Sequence, residues 1–244
     1  MTVRPVVSWV VAGALFSTGC AEAGPGDLEE LETEWVHYAN DLGSSKYSPL
    51  DQIHRDNVDQ LDVAWTWESA DYDLFPEAEA DSAVNPNLQT TPIMVAGRLY
   101  ASTNMGLAVA LDPTSGKELW VHNPWTVLGL EPMGRANRGV AYWPGDEGRE
   151  GGTIFLVFGE YLTAIAADDG TPVPGFGTDG VVHLASHPDP RVTAYSWTSA
   201  PLVIRDLIIV GSQRMAPNRD FVRAPPGFVR AYDVRTGELR WTFN

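Results

Sequence analysis

Apolar residues along this chain come in short runs closed by turn residues, and almost nowhere at the three-to-four residue spacing of an amphipathic helix. Residues 91–100 and 200–210 each read as two short strands around a tight turn, at Ala96-Gly97 and at Arg205-Asp206. Residues 153–158 and 161–166 supply the same pair in the middle of the chain. Helix is confined to two expectations: one or two turns within residues 28–39, ahead of Asp41, and a short turn over residues 57–61 capped by Asp56.

The strand pairs belong to a repeat. Ala110, Asp112, Ser115, Gly116 and Trp120 recur in the same order and spacing as Ala231, Asp233, Thr236, Gly237 and Trp241. A degenerate copy keeps Ala164 and Gly170 but carries Ala166 in the Asp position and Pro174 in the Trp position. Asp at the start of such a turn accepts from backbone N–H groups two residues on, and Gly takes positive φ without steric cost, so the chain reverses there. Each repeat therefore reads as a four-stranded antiparallel blade, and a large terminal Trp per blade packs against the neighbouring blade. Trp65 is expected to do the same from the N-terminal side.

The fold class that follows is all-β, a β-propeller of four-stranded antiparallel blades. An N-terminal segment plus three repeats makes fewer than four blades, whereas closed rings have about four to eight. The chain is thus expected to be about three blades of a larger ring and the front portion of a longer protein. Long connections interrupt the rhythm at residues 68–89, 121–138 and 212–227, where binding chemistry tends to sit. The first of these is acidic, but its carboxylates lack an EF-hand-like order and read as a solvated face.

Composition narrows the partners. Thirty-two acidic against sixteen basic side chains give a formal charge of −16, and only Lys46 and Lys117 are lysines, so no polybasic face exists to bind nucleic acid. The single Cys20 excludes an intramolecular disulfide framework and a Cys-rich zinc site.

Arg4, the apolar run over residues 6–16 and the small residues before Cys20 have the order of an export signal. The run is shorter than the roughly 20 apolar residues of a membrane-spanning helix. Gly19-Cys20 resembles the end of a bacterial lipobox, which makes Cys20 a candidate lipidation site. Ala21-Glu22-Ala23 offers an ordinary small-x-small cleavage site instead. The chain divides into residues 1–23 as a signal peptide, of lipoprotein type if Cys20 is acylated, and residues 24–244 as a partial propeller domain.

Four segments carry a resemblance to the quinoprotein dehydrogenases that use pyrroloquinoline quinone (PQQ), the family of methanol, alcohol and membrane-bound glucose dehydrogenases. They are residues 35–65, beginning Trp35-Val36-His37-Tyr38; Asn137-Arg138-Gly139-Val140-Ala141-Tyr142-Trp143; Pro174-Gly175-Phe176-Gly177-Thr178-Asp179-Gly180; and the Asp-to-Trp turns. The resemblance implies a periplasmic propeller of about eight blades with PQQ and usually Ca²⁺ on its axis. It further implies oxidation of an alcohol or an aldose sugar by hydride transfer to the quinone. A cytochrome c or a membrane quinone is the implied electron acceptor. Arg138 matches the PQQ-contacting Arg of the family's motif, Gln89 a cofactor-contacting position held by Glu or Gln, and Thr198 a cofactor hydrogen-bonding position.

The chain also departs from that family. Pro132 and Met133 stand near the place where many alcohol-oxidising members carry adjacent, disulfide-bonded cysteines under the quinone. Gln213, Arg214, Met215 and Ala216 stand where methanol-type members place a calcium-ligating carboxylate, and Asp220 is a distant substitute. The catalytic base and the remaining metal ligands are expected beyond Asn244, so neither is assigned to this chain. The competing reading is a non-enzymatic propeller scaffold, similar to lipoproteins of outer-membrane assembly. A family member that has lost catalysis is a third.

Overall fold

The computed structural model describes residues 34–75, 79, 88–134, 137–146, 151–186, 195–212 and 227–243. The expected signal segment and Cys20 lie outside them. The described strands form three four-stranded sheets, each an antiparallel meander in sequence order. Blade 1 comprises β1 (Ile93–Val95), β2 (Arg98–Ser102), β3 (Ala108–Leu111) and β4 (Glu118–His122). Blade 2 comprises β5 (Ala141–Trp143), β6 (Thr153–Phe158), β7 (Tyr161–Ala166) and β8 (Val181–His183). Blade 3 comprises β9 (Leu202–Ile204), β10 (Leu207–Gly211), β11 (Val229–Asp233) and β12 (Leu239–Phe243).

The repeat builds the same corner in each blade. Asp112 Oδ1 accepts from the N–H groups of Thr114 and Ser115 at 3.0 and 2.8 Å and from both their hydroxyls, while Gly116 closes the turn at φ +70. Asp233 Oδ1 accepts from the Arg235 and Thr236 N–H groups at 2.9 and 3.1 Å. In blade 2, which lacks that Asp, the Gly170 N–H still reaches the Ala166 carbonyl at 2.9 Å, and Asp169 caps Thr171 instead. The backbone geometry persists because the glycine supplies it. A bulge follows the repeat alanine in both full copies, at Ala110/Leu111 and at Ala231/Tyr232.

Each turn glycine receives an apolar side chain from the preceding unit. A Cβ on Gly116 would lie 2.4 Å from the Trp65 ring, and Trp65 Nε1 donates to the Pro113 carbonyl at 3.0 Å. A Cβ on Gly170 would lie 2.8 Å from the Trp120 ring, and Trp120 Nε1 donates to the Ala167 carbonyl at 3.0 Å. At the third junction, where Pro174 replaces the Trp, Val182 and Phe176 lie against Gly237 and the Gly177 N–H donates to the Thr236 carbonyl at 2.8 Å. The expected packing of Trp65 and Trp120 on the neighbouring unit is therefore observed. Trp241 is 41% exposed and covers no described glycine. Charge pairs flank two junctions, Arg98 with Asp168 at 2.9 Å and Arg235 with Asp146.

Two apolar clusters fill the spaces between sheets. One joins blade 1 to β6 and β7 through Ile93, Leu107, Trp120, Ile154 and Leu156. The other joins blades 2 and 3 through Phe155, Leu162, Phe176, Ile208 and Tyr232. The outward alternation of β9, with Leu202 exposed and Val203 buried, contrasts with β6, buried at all six positions because sheets cover both its faces.

Residues 28–33, half of the first helical expectation, lie outside the described residues. Of the rest, residues 34–37 carry bridges rather than helix, Trp35 pairing with Met94 through bonds of 3.0 and 2.9 Å, and residues 38–39 form a tight turn closed by the Asn40 N–H on the His37 carbonyl. The short turn exists as a 3₁₀ segment at Val58–Gln60, but its N-cap is Asn57, not Asp56, and makes no side-chain capping bond. The Asn57 side chain is engaged by the His54 N–H and the Gln52 carbonyl instead. Two described elements lie outside these expectations: a 3₁₀ segment at Ala70–Leu74, and helix α1 (Pro124–Leu128), which is capped by Asn123, opens on proline and stops at Gly129 with φ +64.

Two measurements test this account. Gly170→Ala places a methyl group in the Trp120 ring at a residue with φ +76, and is expected to cost roughly 2–4 kcal/mol in urea unfolding. Gly129→Ala meets open space and should cost only about 1 kcal/mol, from its φ of +64 alone. The hydroxyl and N–H donors of Thr114 and Ser115 hold the Asp112 carboxyl down to about 2, so its contribution to stability is present above 3.8 and is lost as pH falls toward 2. Asp112→Asn should accordingly flatten the loss of stability in that acid window.

Candidate functional site

The entrances to the three first strands, β1, β5 and β9, meet in one hydrogen-bonded line. The Thr91 N–H donates to the Arg138 carbonyl at 3.0 Å, and the Arg138 N–H donates to the Thr198 carbonyl at 2.9 Å. Gly139 makes this approach possible, because a Cβ there would lie 3.0 Å from the Thr91 carbonyl oxygen at φ +144.

Asn137 fixes the loop from beneath. Its Oδ1 accepts from the Ser102 hydroxyl at 2.9 Å and from the Gly139 N–H at 3.1 Å, while Nδ2 donates to the Val157 carbonyl at 2.6 Å. One buried amide thus ties the loop to β2 and β6. Ser102 in turn lies 3.0 Å, hydroxyl to hydroxyl, from Thr90. Asn137 was visible in the sequence only as part of a motif. Its role depends on Ser102 and Val157, which no local spacing reveals.

Of the three cofactor candidates, the structure brings two together. Arg138 Nη1 donates to Thr198 Oγ1 at 2.7 Å. Arg138 forms no ion pair among the described residues, which leaves guanidinium donors for an external anion. Gln89 is half-buried beside Thr90 and makes no hydrogen bond to another described residue, so its amide is available as well.

Arg138 lines a cleft of about 290 Å³ together with His37, Tyr38, Asp41, Ala200 and Leu202. Burial pushes the His37 imidazole below its usual range, with Asp41 opposing. The Asp41 carboxyl is held low chiefly by the Ser45 hydroxyl and N–H. A second cleft, about 460 Å³, lies between Trp125, Leu130, Glu131, Met133 and the β6–β7 turn. Met133 is 53% exposed at its edge.

Trp125 anchors that side. Its indole N–H bonds the Met105 carbonyl, and its ring meets Phe158 edge-on at 5.1 Å. The β2–β3 loop carrying Met105 is held in turn by Asp71, whose Oδ2 accepts the Met105 N–H at 3.2 Å. Asp71 is 1% exposed, and burial raises its carboxyl above the usual range, against the Thr103 hydroxyl and the Met105 N–H. Among the described residues no cluster of three or more His, Cys, Asp or Glu is arranged to hold a metal ion. Likewise, no described helix is long and apolar enough to cross a membrane.

The three described sheets are blades of a β-propeller, and the loops entering β1, β5 and β9 meet at Arg138. The family model for the glucose/ethanol/alcohol dehydrogenase β-propeller domain of PQQ proteins matches residues 35–244, and the chain belongs to that family. The quinate/shikimate dehydrogenase (quinone) of Acinetobacter baylyi is 32% identical over 90% of this chain and 29% of its own length. The quinoprotein glucose dehydrogenase of Escherichia coli is 31% identical over 92% of this chain and 29% of its own. A europium-containing methanol dehydrogenase superposes with a TM-score of 0.58 at 22% identity, over 88% of this chain and 33% of that one. The chain thus spans less than a third of the curated relatives it matches.

Asp71 yields a test with a definite sign. Because its folded value is raised above the ordinary 3.8, the native state holds the proton longer than the unfolded state does. Stability is therefore full in acid and falls as pH rises through the raised value. Asp71→Asn keeps an acceptor for Met105 without a charge, and is expected to remove that fall, measured as urea midpoints across the acid-to-neutral range.

Proposed function

We propose that this chain is the N-terminal part of an exported PQQ-dependent dehydrogenase that oxidises an alcohol or an aldose sugar. The observation that carries the reading is the Arg138–Thr198 pair in the Asn-Arg-Gly loop, with guanidinium donors left over beside a cleft. Bound PQQ supplies a quinone that accepts a hydride from the substrate carbon. The chain's own residues hold and orient it. Arg138 takes one of its carboxylates, Thr198 fixes the guanidinium plane, and Gln89 offers an amide to a carboxylate or carbonyl oxygen. Asn137 and Gly139 keep the loop in place while a ligand enters.

Met133 stands near where relatives with adjacent cysteines stack the quinone, and a polarisable thioether suits the face of a flat ring. Ca²⁺ belongs to this reading through the family, with no ligand assigned among the described residues. The acceptor is a cytochrome c or a membrane quinone, and the setting is the periplasm, with Cys20 as a lipid anchor if acylated. No described residue is assigned as the base that removes the alcohol proton, so the 244-residue chain is not expected to turn over alone.

The test is direct titration with PQQ and Ca²⁺, followed by cofactor absorbance and melting temperature. The chain is expected to bind, Arg138→Lys to bind about tenfold more weakly through loss of the planar fork, and Arg138→Ala to lose binding. No binding by the unsubstituted chain would favour the scaffold reading. Dye-linked oxidation of ethanol or glucose by the 244-residue chain would overturn the claim that it is inactive alone.

A further inference from the structure

Arg230, on β11, is 1% exposed, which is rare for arginine unless it is paired. Its Nη1 donates to the Leu184 carbonyl at 2.7 Å and to the Tyr232 hydroxyl at 2.9 Å. The guanidinium carbon lies 4.1 Å from the centre of the Phe228 ring and 5.5 Å from that of Tyr195. Two aromatic rings and two hydrogen bonds thus set both the position and the plane of the group. The remaining donors, Nε and Nη2, are sealed from solvent and have no hydrogen-bond partner among the described residues. None of the ion pairs among the described residues includes Arg230.

The described neighbours do not supply the missing charge. Burial raises both the Tyr195 and the Tyr232 phenols, with the Arg230 charge opposing in each case, so both stay protonated and neutral at physiological pH. Aromatic faces attract a cation but satisfy no N–H, and a buried guanidinium without a counter-ion is strongly unfavourable. The unpaired donors are also not a random pair. Nε and Nη2 form the edge of the guanidinium whose parallel N–H bonds match the two oxygens of a carboxylate.

We propose that Arg230 is the receptor of a second anion site, in the seam between blades 2 and 3, that holds one carboxylate on its Nε–Nη2 edge. The site is separate from the Arg138 cleft, whose lining residues do not include Arg230. Its ligand is a small carboxylate anion, since a planar two-oxygen group suits a fork whose plane is fixed by Phe228. Uptake requires the end of the seam to open briefly, because both donors are closed to solvent.

The test uses the 244-residue chain, incubated overnight with sodium formate and, separately, with sodium phosphate and with sodium chloride at matched ionic strength. Formate is expected to raise the melting temperature saturably, by several degrees in the millimolar range, beyond any effect of chloride. Arg230→Lys keeps the charge but loses the fork, and should need at least tenfold more formate for the same shift. Phosphate should act more weakly than formate. Should Arg230→Lys fail to fold, the Arg Nε–H resonances of the unsubstituted chain give the answer, because one of them should move downfield with formate and none with chloride. Equal responses to formate and chloride, equal formate responses of the chain and Arg230→Lys, or Arg Nε–H resonances that ignore formate would each overturn the proposal.

Discussion

Two sheets stacked side by side need a contact that sets both their distance and their rotation, and here the turn glycines provide it. A ring lying where a Cβ would stand brings a flat apolar surface against backbone, and a neighbouring N–H bonded to a carbonyl of the same turn fixes the angle. The junction between blades 2 and 3 is instructive because it lacks the tryptophan. Phe176 and Val182 supply the surface, and the Gly177 N–H supplies the bond, so the requirement belongs to the glycine more than to any one side chain. Burial of a large side chain at each seam contributes roughly 1.5–3 kcal/mol, which is a substantial share of the stability of a domain.

From that spacing follows the arrangement of the inner strand entrances. Only when adjacent sheets keep a fixed rotation can Thr91, Arg138 and Thr198 come within backbone hydrogen-bond distance of one another. Asn137 and Gly139 then serve the same end at shorter range, one by tying the loop to β2 and β6, the other by leaving room for it. The side chain of Arg138 is presented to a cleft because its own backbone is held on both sides. The outer cleft has an analogous support in Trp125, Met105 and Asp71, but its keystone is a buried carboxyl and its rigidity is tied to protonation.

The corners of the blades were legible in the sequence because an Asp, a hydroxyl and a Gly at fixed offsets have a local mechanism. Trp120 was legible as an inter-blade contact, though its receiving glycine was not, since Gly170 and Trp120 are neighbours only in space. The cap falls at Asn57, one position after the expected Asp56, because both residues are good caps and the choice lies with His54 and Gln52. Helix α1 carried its signals openly, Asn123-Pro124 at one end and Gly129 at the other, but a connection punctuated by Gly and Pro reads as irregular. Of the site, Arg138 and Thr198 came through the family motif. Their mutual bond spans 60 residues and needed the fold. Arg230 gave no sequence signal at all, because an arginine in a strand ordinarily faces solvent.

The backbone line through Thr91, Arg138 and Thr198 makes three sheets mechanically continuous at one rim. Parting either adjacent pair of blades at this rim breaks a bond of the Arg138 backbone. A ligand that binds only the joined rim, as proposed for Arg138, would therefore hold three blades together at once, by an amount that grows with its concentration.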